Sequence, residues 1–265
     1  MKHHIPRKRF GQNFLIDNNV IAHIVRALNP KPNQHLVEIG AGLGALTTKV
    51  LNEIDHLDVI EIDRDLGEKL QSTFSASQLT LYQADALDFD FSTLCQQNQA
   101  KLRIFGNLPY NISTPLLFHL LHYAGYIQDM LFMLQKEVVT RMAAKPNSKE
   151  YGRLSVMIQY FCQANQLFDV GPNSFSPPPK VTSSIVHLVP HDQNRPHPLA
   201  KNEKLFASIV TQAFSHRRKT LKNALTPLVP ASVIEKVGID PMRRPETLSI
   251  TEFVNLSDAL HEDSP

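Results

Sequence analysis

Short apolar runs that alternate with helix-like segments constrain the fold of this chain more than any other feature of its sequence. Five such runs lie between residues 35 and 134, and the segments between them are long enough for crossover helices. This alternation predicts an α/β fold, in which a parallel sheet carries helices on both faces. The runs are HLVEIG at 35–40, LDVIEID at 57–63, LTLYQAD at 79–85, KLRIFGN at 101–107 and QDMLFML at 128–134.

Two further segments extend this pattern. The segment NNVIAHIVRAL at 18–28 places its apolar residues on one face, which predicts an amphipathic helix capped by Asp17 or Asn18. The segment SSIVHLVP at 183–190 is typical of a strand, and we expect it to close the sheet.

The chain changes character after residue 190. The polar segment HDQNRPHPLA at 191–200 contains two prolines and predicts a linker. Beyond it the patterns are helical: Gly238 is placed to end one helix, and Ser249 with Glu252 forms a capping box that opens the last. We therefore divide the chain into an α/β domain over residues 1–190 and a small helical domain over residues 191–265.

The composition is that of an ordinary soluble globular protein, with 42% hydrophobic and 20% charged residues in a chain of 265. It contains no run of about 18 uncharged apolar residues, and no apolar segment of a secretory signal follows the N-terminal cations. Cys95 and Cys162 fit no metal or redox spacing. We therefore expect reduced thiols, no metal, no membrane span and a cytoplasmic location.

Charge is unevenly distributed, although the net charge is only +2. Residues 37–90 hold eleven acids and three bases, a local net of −8, whereas residues 195–222 hold seven bases and one acid, a local net of +6. Residues 1–10 add four bases and no acid. Two basic segments on either side of an acidic module indicate a polyanionic partner that binds beside the acidic part, although a solvated surface is the simpler explanation of either cluster alone.

Ligands of such folds bind at the carboxyl ends of the strands, and three of these ends suit an adenosine-bearing cofactor. Gly40, Gly42 and Gly44 follow the first run and let the backbone turn sharply and approach a ligand. Their G-x-G-x-G spacing differs from the G-x-G-x-x-G of dinucleotide sites. A carboxylate at Glu61 can accept hydrogen bonds from both hydroxyls of a ribose, of NAD as well as of other cofactors, and one at Asp85 can accept from an adenine amine.

The fourth strand end, GNLPYNISTP at 106–115, is unusually rich in polar and aromatic groups for a turn. Turn chemistry accounts for part of it, because Pro115 predicts the start of a helix with Ser113 or Thr114 as its cap. Asn111 has no predicted role beyond the turn.

The remaining tetrad suits chemistry on an aromatic amine such as N6 of adenine, whose lone pair is delocalised into the ring. The side-chain oxygen of Asn107 and the carbonyl of Leu108 can accept its N–H groups and draw the nitrogen towards a tetrahedral, nucleophilic geometry. Pro109 stiffens the turn, and Tyr110 offers a stacking face for the base, worth about 1–3 kcal/mol. Alignment of the amine with an activated methyl group can lower the barrier by about 7–11 kcal/mol.

These motifs resemble those of the adenine-N6 dimethyltransferases that act on ribosomal RNA, and within that family the bacterial members that modify 16S rRNA and are associated with kasugamycin sensitivity. The resemblance covers nearly the whole chain, with the motifs in the same order. They are RKRFGQNFL at 7–15, VEIGAGLGALT at 37–47, NLPYNIST at 107–114, FSPPPKVTSS at 175–184, FSHRRKTLKNAL at 214–225 and RRPETLS at 243–249.

The resemblance implies a class I S-adenosylmethionine-dependent methyltransferase fold: a Rossmann-like, seven-stranded sheet whose last strand is antiparallel, followed by a small all-helical domain. It implies S-adenosylmethionine as the cofactor, and catalysis by Asn107, Leu108, Pro109 and Tyr110 with Phe175 stacking the target base opposite Tyr110. From the residues alone, Phe175 is equally well explained as a core anchor before a proline-rich loop. The implied cofactor-binding residues are Asn13, Leu15, Gly40, Glu61, Asp85 and Asn107.

The implied substrate is a pair of adjacent adenosines in a hairpin loop near the 3′ end of 16S rRNA, each methylated twice on an assembling small ribosomal subunit. The basic segments then become candidate phosphate contacts, with the alternative that their cations complement a helix dipole. Arg243 and Arg244 fit a bracing role in the small domain as well, and nothing in the sequence requires more than a monomer. The predicted RNA-binding residues are Arg7, Lys8, Arg217, Arg218, Lys219 and Lys222.

Three other functions are compatible with parts of the sequence. A ribosome-assembly factor without catalysis would need the basic segments but not an intact NLPY tetrad. A nicotinamide oxidoreductase would use the glycine turn and Glu61, but the glycine spacing differs and no proton donor is evident beside the tetrad. Methylation of large-subunit rRNA, as in antibiotic-resistance relatives, is opposed only by the resemblance of the helical domain to the small-subunit members.

Overall fold

The computed structural model describes residues 12–98, 100–216, 218–226 and 228–263. This part of the chain divides into two compact units, of which the first holds the residues up to Val139 together with Asn165–Pro190. The second holds Thr140–Ala164 and the residues from His191 onwards. The predicted domain border at residue 190 keeps residues 140–164 in the first domain instead, and the division into functional domains stays a prediction.

Strands and helices alternate through the first unit, and helix α6 and strand β7 each cross its border. The elements are β1 (Phe14–Leu15), α1 (Asn18–Leu28), β2 (His35–Ile39), α2 (Ala45–Val50), β3 (Leu57–Glu61), α3 (Arg64–Thr73), β4 (Leu79–Gln83), α4 (Ser92–Asn98), β5 (Leu102–Asn107), α5 (Ser113–Leu121), β6 (Ile127–Gln135), α6 (Lys136–Met142), β7 (Cys162–Val170), β8 (Phe175–Ser176) and β9 (Ser183–Pro190).

Seven of these strands form one sheet in the order β4-β3-β2-β5-β6-β9-β7. The strands from β2 to β6 pair in parallel, and β9 runs antiparallel to β6. This confirms the predicted seven-stranded α/β sheet with an antiparallel last strand. Strand β7 is not predicted from the sequence, because polar residues interrupt CQANQLFDV and leave it without an apolar run.

A separate pair of short strands joins two distant segments. Strand β1 pairs with β8 in antiparallel fashion, with Leu15 opposite Phe175. The pairing brings the GQNFL motif and the FSPPP motif together, a contact that two-residue strands do not reveal in a sequence.

Helix α1 agrees with its prediction. The Asp17 carboxylate accepts a hydrogen bond from the N–H of Asn19 at 2.9 Å and caps the helix. Its buried face, formed by Ile21, Ile24 and Leu28, packs into the core beside the sheet. Strands β2, β3 and β5 are buried almost throughout, as expected for parallel strands covered on both faces.

Helix α5 begins two residues earlier than predicted. Its N-cap is Ile112, which makes no side-chain cap, and Ser113 already lies in the helix. The prediction of Ser113 or Thr114 as the cap is therefore wrong, because the Ser113 hydroxyl turns back and donates to the Tyr110 carbonyl at 3.1 Å. Pro115 lies in the first turn, where a missing N–H is tolerated.

The second unit is helical in its described part after His191. Ser249 caps the last helix: the Glu252 N–H donates to its hydroxyl at 3.2 Å, and the Ser249 N–H donates to the Glu252 carboxylate at 2.7 Å. The predicted capping box is thus confirmed. Within the described residues no helix has the length and apolar character needed to cross a membrane. The helices are α7 (Arg153–Phe161), α8 (Glu203–Ala213), α9 (Leu221–Leu225), α10 (Ala231–Lys236) and α11 (Ile250–Glu262).

Candidate active site

A pocket of about 290 Å³ lies where the parallel strands β2, β3, β4 and β5 end. It collects side chains that are up to about a hundred residues apart in the sequence, because the carboxyl ends of parallel strands meet at one edge. All six predicted cofactor-binding residues and the whole NLPY tetrad line it. They are Asn13, Leu15, Gly40, Glu61, Asp85, Asn107, Leu108, Pro109 and Tyr110.

The glycine turn forms the floor between β2 and α2. Gly42 has a φ of +60°, and its N–H donates to the Glu61 carboxylate at 3.0 Å. A Cβ atom at Gly42 would come within 3.1 Å of the Phe14 ring, so the turn needs glycine both for its backbone angle and for the space. The glycine turn is therefore fixed to the end of β3 by the hydrogen bond between Gly42 and Glu61.

Glu61 ends β3 and is 4% exposed. One carboxylate oxygen accepts from the Gly42 N–H and the other from the Asp63 N–H, each at 3.0 Å. Burial raises the pKa of Glu61, and these two backbone hydrogen bonds oppose the rise. Because a carboxylate offers about four acceptor sites, capacity remains for the two hydroxyls of a ribose.

Asp85 follows β4 and lines the same pocket as Glu61. One of its oxygens accepts from the Leu87 N–H at 2.9 Å, which orients the carboxylate. The second oxygen makes no hydrogen bond to the described part of the chain and is available to an amine donor.

The NLPY loop is held to its surroundings by its first two residues. The Asn107 side-chain NH₂ donates to the Asn13 carbonyl at 2.9 Å, which leaves its oxygen as the acceptor. The Leu108 N–H donates to the Met133 carbonyl at 3.2 Å. A Cβ atom at Gly106 would lie 2.3 Å from the Ile39 carbonyl, so only glycine lets β5 approach β2 this closely.

Tyr110 closes one side of the pocket. Its hydroxyl lies 2.7 Å from the hydroxyl of Ser183, and either group can donate. Burial raises the pKa of the Tyr110 phenol, and the hydrogen bond with Ser183 opposes that rise, so the phenol is neutral near pH 7. The Tyr110 side chain is half-buried, with its ring along the pocket wall.

Glu38 also lines the pocket and is not among the residues predicted from the sequence. It lies within β2, is 2% exposed, and accepts a hydrogen bond from the Thr47 hydroxyl at 2.6 Å. Burial, with a smaller contribution from the nearby charge of Glu61, raises the pKa of Glu38 to about 8, and the hydrogen bond from Thr47 opposes this rise. An acid inside an otherwise apolar strand is a visible signal in the sequence.

Two apolar side chains of the lining are also new. Leu43 is 38% exposed and Ile62 is 43% exposed, although both are large hydrophobic residues. They offer apolar surface next to Glu61, as expected where the flat face of a base is bound. Together with the carboxylates and the glycine turn, they form a donor, acceptor and apolar set that fits S-adenosylmethionine.

Phe175 is not among the residues that line the pocket. It is 3% exposed and belongs to the core cluster that includes Leu15, Phe105 and Val170. This position agrees with the core-anchor alternative, and its stacking on a target base stays a prediction.

The predicted RNA-binding residues that are described lie on the surface of the second unit. Arg218, Lys219 and Lys222 are exposed, whereas Arg7, Lys8 and Arg217 lie outside the described residues. Arg243 and Arg244 differ: the Arg243 guanidinium donates to the Glu252 carboxylate at 2.5 Å and to the Thr247 carbonyl at 2.8 Å. Arg243 therefore braces the small unit. The Arg244 side chain is 60% exposed and lies 3.8 Å from Glu246.

Comparison with known proteins identifies relatives along nearly the whole chain. The family model for ribosomal RNA adenine dimethylases matches residues 3–262. The chain is 54% identical over 259 residues to the ribosomal RNA small subunit methyltransferase A of Acinetobacter baylyi, which covers 97% of this chain and 93% of that protein.

Two solved structures are also similar. A dimethyladenosine transferase from Plasmodium falciparum has a TM-score of 0.76 at 26% identity and covers 92% of this chain and 95% of its own. The 23S rRNA methyltransferase ErmE has a TM-score of 0.68 at 22% identity, covers 94% and 100% respectively, and shares the fold.

Proposed function

Because this chain belongs to the ribosomal RNA adenine dimethylase family, whose S-adenosylmethionine-dependent methyltransferase activity it shares, we propose that it acts on the small-subunit rRNA. Its targets there are N6 of two adjacent adenosines in a hairpin loop near the 3′ end of 16S rRNA, each methylated twice. The 54% identity to a small-subunit enzyme supports this choice of RNA. The observation that carries the chemistry is that the NLPY loop and the acidic strand ends line a single pocket.

The chain's own residues provide a binding site for the methyl donor. Glu61 would accept hydrogen bonds from the ribose hydroxyls, and Asp85 from the adenine amine of the cofactor. The Gly40–Gly42 turn would let the backbone approach the ligand closely. When bound, S-adenosylmethionine supplies an electrophilic methyl group.

The NLPY loop then acts on the target adenine. The Asn107 oxygen accepts one N6–H, because the Asn13 carbonyl holds the amide with its NH₂ turned the other way. In the first methylation the Leu108 carbonyl would accept the second N6–H, so that the lone pair is freed from the ring to bond the methyl carbon as the S–CH₃ bond of the donor breaks. The surplus N6 proton then leaves to solvent. In the second methylation a single N6–H remains, and one of the two acceptors would hold it. Tyr110 supports the face of the base. The rate enhancement comes from positioning the amine against the methyl group and from reducing the conjugation of the N6 lone pair with the ring. Neither effect requires a strong base.

The second unit supplies the RNA contact in this proposal. Arg218, Lys219 and Lys222 are exposed cations within five residues of sequence, and each phosphate they neutralise would make affinity more sensitive to salt. Arg7, Lys8 and Arg217 would add to the same electrostatic attraction. We infer further that the protein works as a monomer, in the cytoplasm, on an assembling small subunit.

Labelled S-adenosylmethionine and small subunits from cells that lack the modification test this function. We expect label at two adjacent adenosines of 16S rRNA and at none in large subunits. Asn107→Ala should lower the rate by at least a hundredfold, because the amine loses an acceptor in the transition state. The matched control is Asn52→Ala, an exposed amide outside the pocket.

Each outcome separates the competing functions. Label in large subunits would show that the substrate is large-subunit rRNA and not small-subunit rRNA. Tight RNA binding without label would leave an assembly factor, and label that survives Asn107→Ala would reject the acceptor mechanism. A nicotinamide oxidoreductase would bind NAD in place of S-adenosylmethionine, which calorimetry distinguishes.

A further inference from the structure

Ser183 belongs to a different part of the chain from the NLPY loop, yet it contacts the base-stacking residue. The two hydroxyls of Ser183 and Tyr110 are 2.7 Å apart although the residues are 73 positions apart in sequence. We propose that Ser183 is a positioning residue, which sets the angle of the Tyr110 ring and thereby the placement of the target adenine. This inference rests on the proposed function, because it requires Tyr110 to carry the base.

The topology explains how a residue of the last strand reaches the site. Strand β9 is antiparallel to β6, so it begins at the edge where the parallel strands end. Ser183 pairs with Gln135, and Asn107 pairs with Met133 two residues earlier in the same strand β6. The start of β9 and the NLPY loop are thus held against the end of one shared strand.

Among the described residues, the other hydrogen bonds of the loop hold its main chain and not the Tyr110 hydroxyl. The Leu108 N–H and the Ser113 hydroxyl bind backbone atoms, at the Met133 carbonyl and the Tyr110 carbonyl respectively. A tyrosine side chain can still rotate about two torsions after its backbone is fixed. The hydrogen bond to Ser183 holds the far end of the ring and selects one of these orientations.

The surroundings make this hydrogen bond effective. Ser183 is fully buried, at 0% exposure, and Tyr110 is half-buried. Water therefore does not replace the partner easily at the serine, and loss of either hydroxyl leaves the other without its hydrogen bond. A neutral phenol and a serine hydroxyl pair without any charge that would disturb the methyl donor.

The next residue of the strand offers a matched control. Ser184 is also at 0% exposure, but its hydroxyl donates to the Phe168 carbonyl at 3.1 Å and accepts from the Gln166 amide at 3.1 Å. It faces away from Tyr110, as successive residues of a strand do. Ser184→Ala therefore reproduces the loss of a buried serine hydroxyl without touching the Tyr110 ring.

The experiment measures kcat and KM for small subunits, and the Kd of S-adenosylmethionine by calorimetry, for Ser183→Ala, Tyr110→Phe, the double variant and Ser184→Ala. We expect kcat/KM to fall about tenfold for Ser183→Ala and for Tyr110→Phe, the size of one buried hydrogen bond. The double variant should fall no further than either single one. The Kd of the cofactor should stay within twofold throughout, and Ser184→Ala should retain kcat/KM within twofold.

Tyr110→Phe keeps the test decisive if Ser183→Ala does not fold, because it breaks the same contact from the more exposed side. Additive losses in the double variant, or equal losses for Ser183→Ala and Ser184→Ala at equal Tm, would overturn the positioning role. Tyr110→Ala separates the stacking role proposed for Tyr110 from the positioning role proposed for Ser183. If it leaves kcat/KM unchanged, the proposed stacking role fails and the inference fails with it, whereas a large loss in Tyr110→Ala with none in Ser183→Ala rejects the inference alone.

Discussion

At the amino-terminal edge of the sheet, buried charges face opposite charges, whereas at the carboxyl edge buried carboxylates face neutral donors. Arg103 donates to both oxygens of Asp129, at 2.7 and 2.8 Å, and His187 lies 2.9 Å from the same carboxylate. Glu38 and Glu61 bind a hydroxyl and two backbone N–H groups. Among the described residues neither of them forms an ion pair.

The pKa values follow this difference. Burial alone would raise the pKa of Asp129, but the hydrogen bonds from Arg103 and His187 hold it below the ordinary value. Burial raises the pKa of Glu61, and that of Glu38 to about 8. Buried ion pairs are therefore found at the amino-terminal edge of the sheet. Buried carboxyl groups without a cationic partner are found at the carboxyl edge, where a ligand can bind.

The largest effect is expected from breaking the ion pair at the amino edge. Asp129→Ala leaves the buried Arg103 without a counter-charge and should lower the free energy of unfolding by about 3–5 kcal/mol. Urea denaturation measures this, with Asp169→Ala, in a surface pair with Lys136, as the control that costs less than about 1 kcal/mol. The folded fraction should bind S-adenosylmethionine normally, and a large change in Kd would show that the two edges are not independent.

At the carboxyl edge the same kind of change should affect binding instead. Glu61→Gln removes the charged acceptor for the ribose, so the Kd of S-adenosylmethionine should rise by about 10- to 100-fold. The free energy of unfolding should fall by only about 1–2 kcal/mol, because the glutamine NH₂ then faces one of the two backbone N–H donors while a buried charge is removed. Calorimetry and urea denaturation of the same sample separate the two effects. A severe loss of stability would place Glu61 with the structural charges of the other edge.

Glu38 adds a pH dependence of stability. Between pH 4.5 and about 8 its carboxyl stays protonated in the folded protein and ionises in the unfolded chain. The folded state then binds more protons, so stability falls as pH rises through this window. In Glu38→Gln the free energy of unfolding should decrease less over this pH range, by about 1–3 kcal/mol. The measurement is Tm or the free energy of unfolding at several pH values without cofactor. An unchanged slope, relative to exposed Glu53→Gln, would contradict the raised pKa.

The smallest effect is expected at the rim of the amino edge. His187 has 31% of its side chain exposed and contacts Asp129, which keeps its two hydrogen bonds from Arg103. His187→Gln should therefore cost only about 0.5–1 kcal/mol in urea denaturation. A cost as large as that of Asp129→Ala would mean that the imidazole, and not the guanidinium, holds the carboxylate.

Much of the site could be predicted from local sequence. The strand ends at Glu61 and Asp85, the glycine turn and the tetrad from Asn107 follow directly from apolar runs and the residues after them. Asn13 and Leu15 required a resemblance, because nothing in GQNFL indicates that it pairs with β8 and lies over the pocket. Glu38 could have been noticed as an acid within an apolar run, but the run HLVEIG was interpreted only as a buried strand.

The sequence by itself determined the alternation of strands and helices and the set of polar groups at the strand ends. These depend on the burial of neighbouring residues and on backbone angles that glycine and proline set locally. Only the tertiary structure decided which charges are paired, how Asn107 is turned by the Asn13 carbonyl and that Ser183 holds Tyr110. Those contacts depend on the register of strands far apart in the chain, and register follows from the packing of the whole sheet.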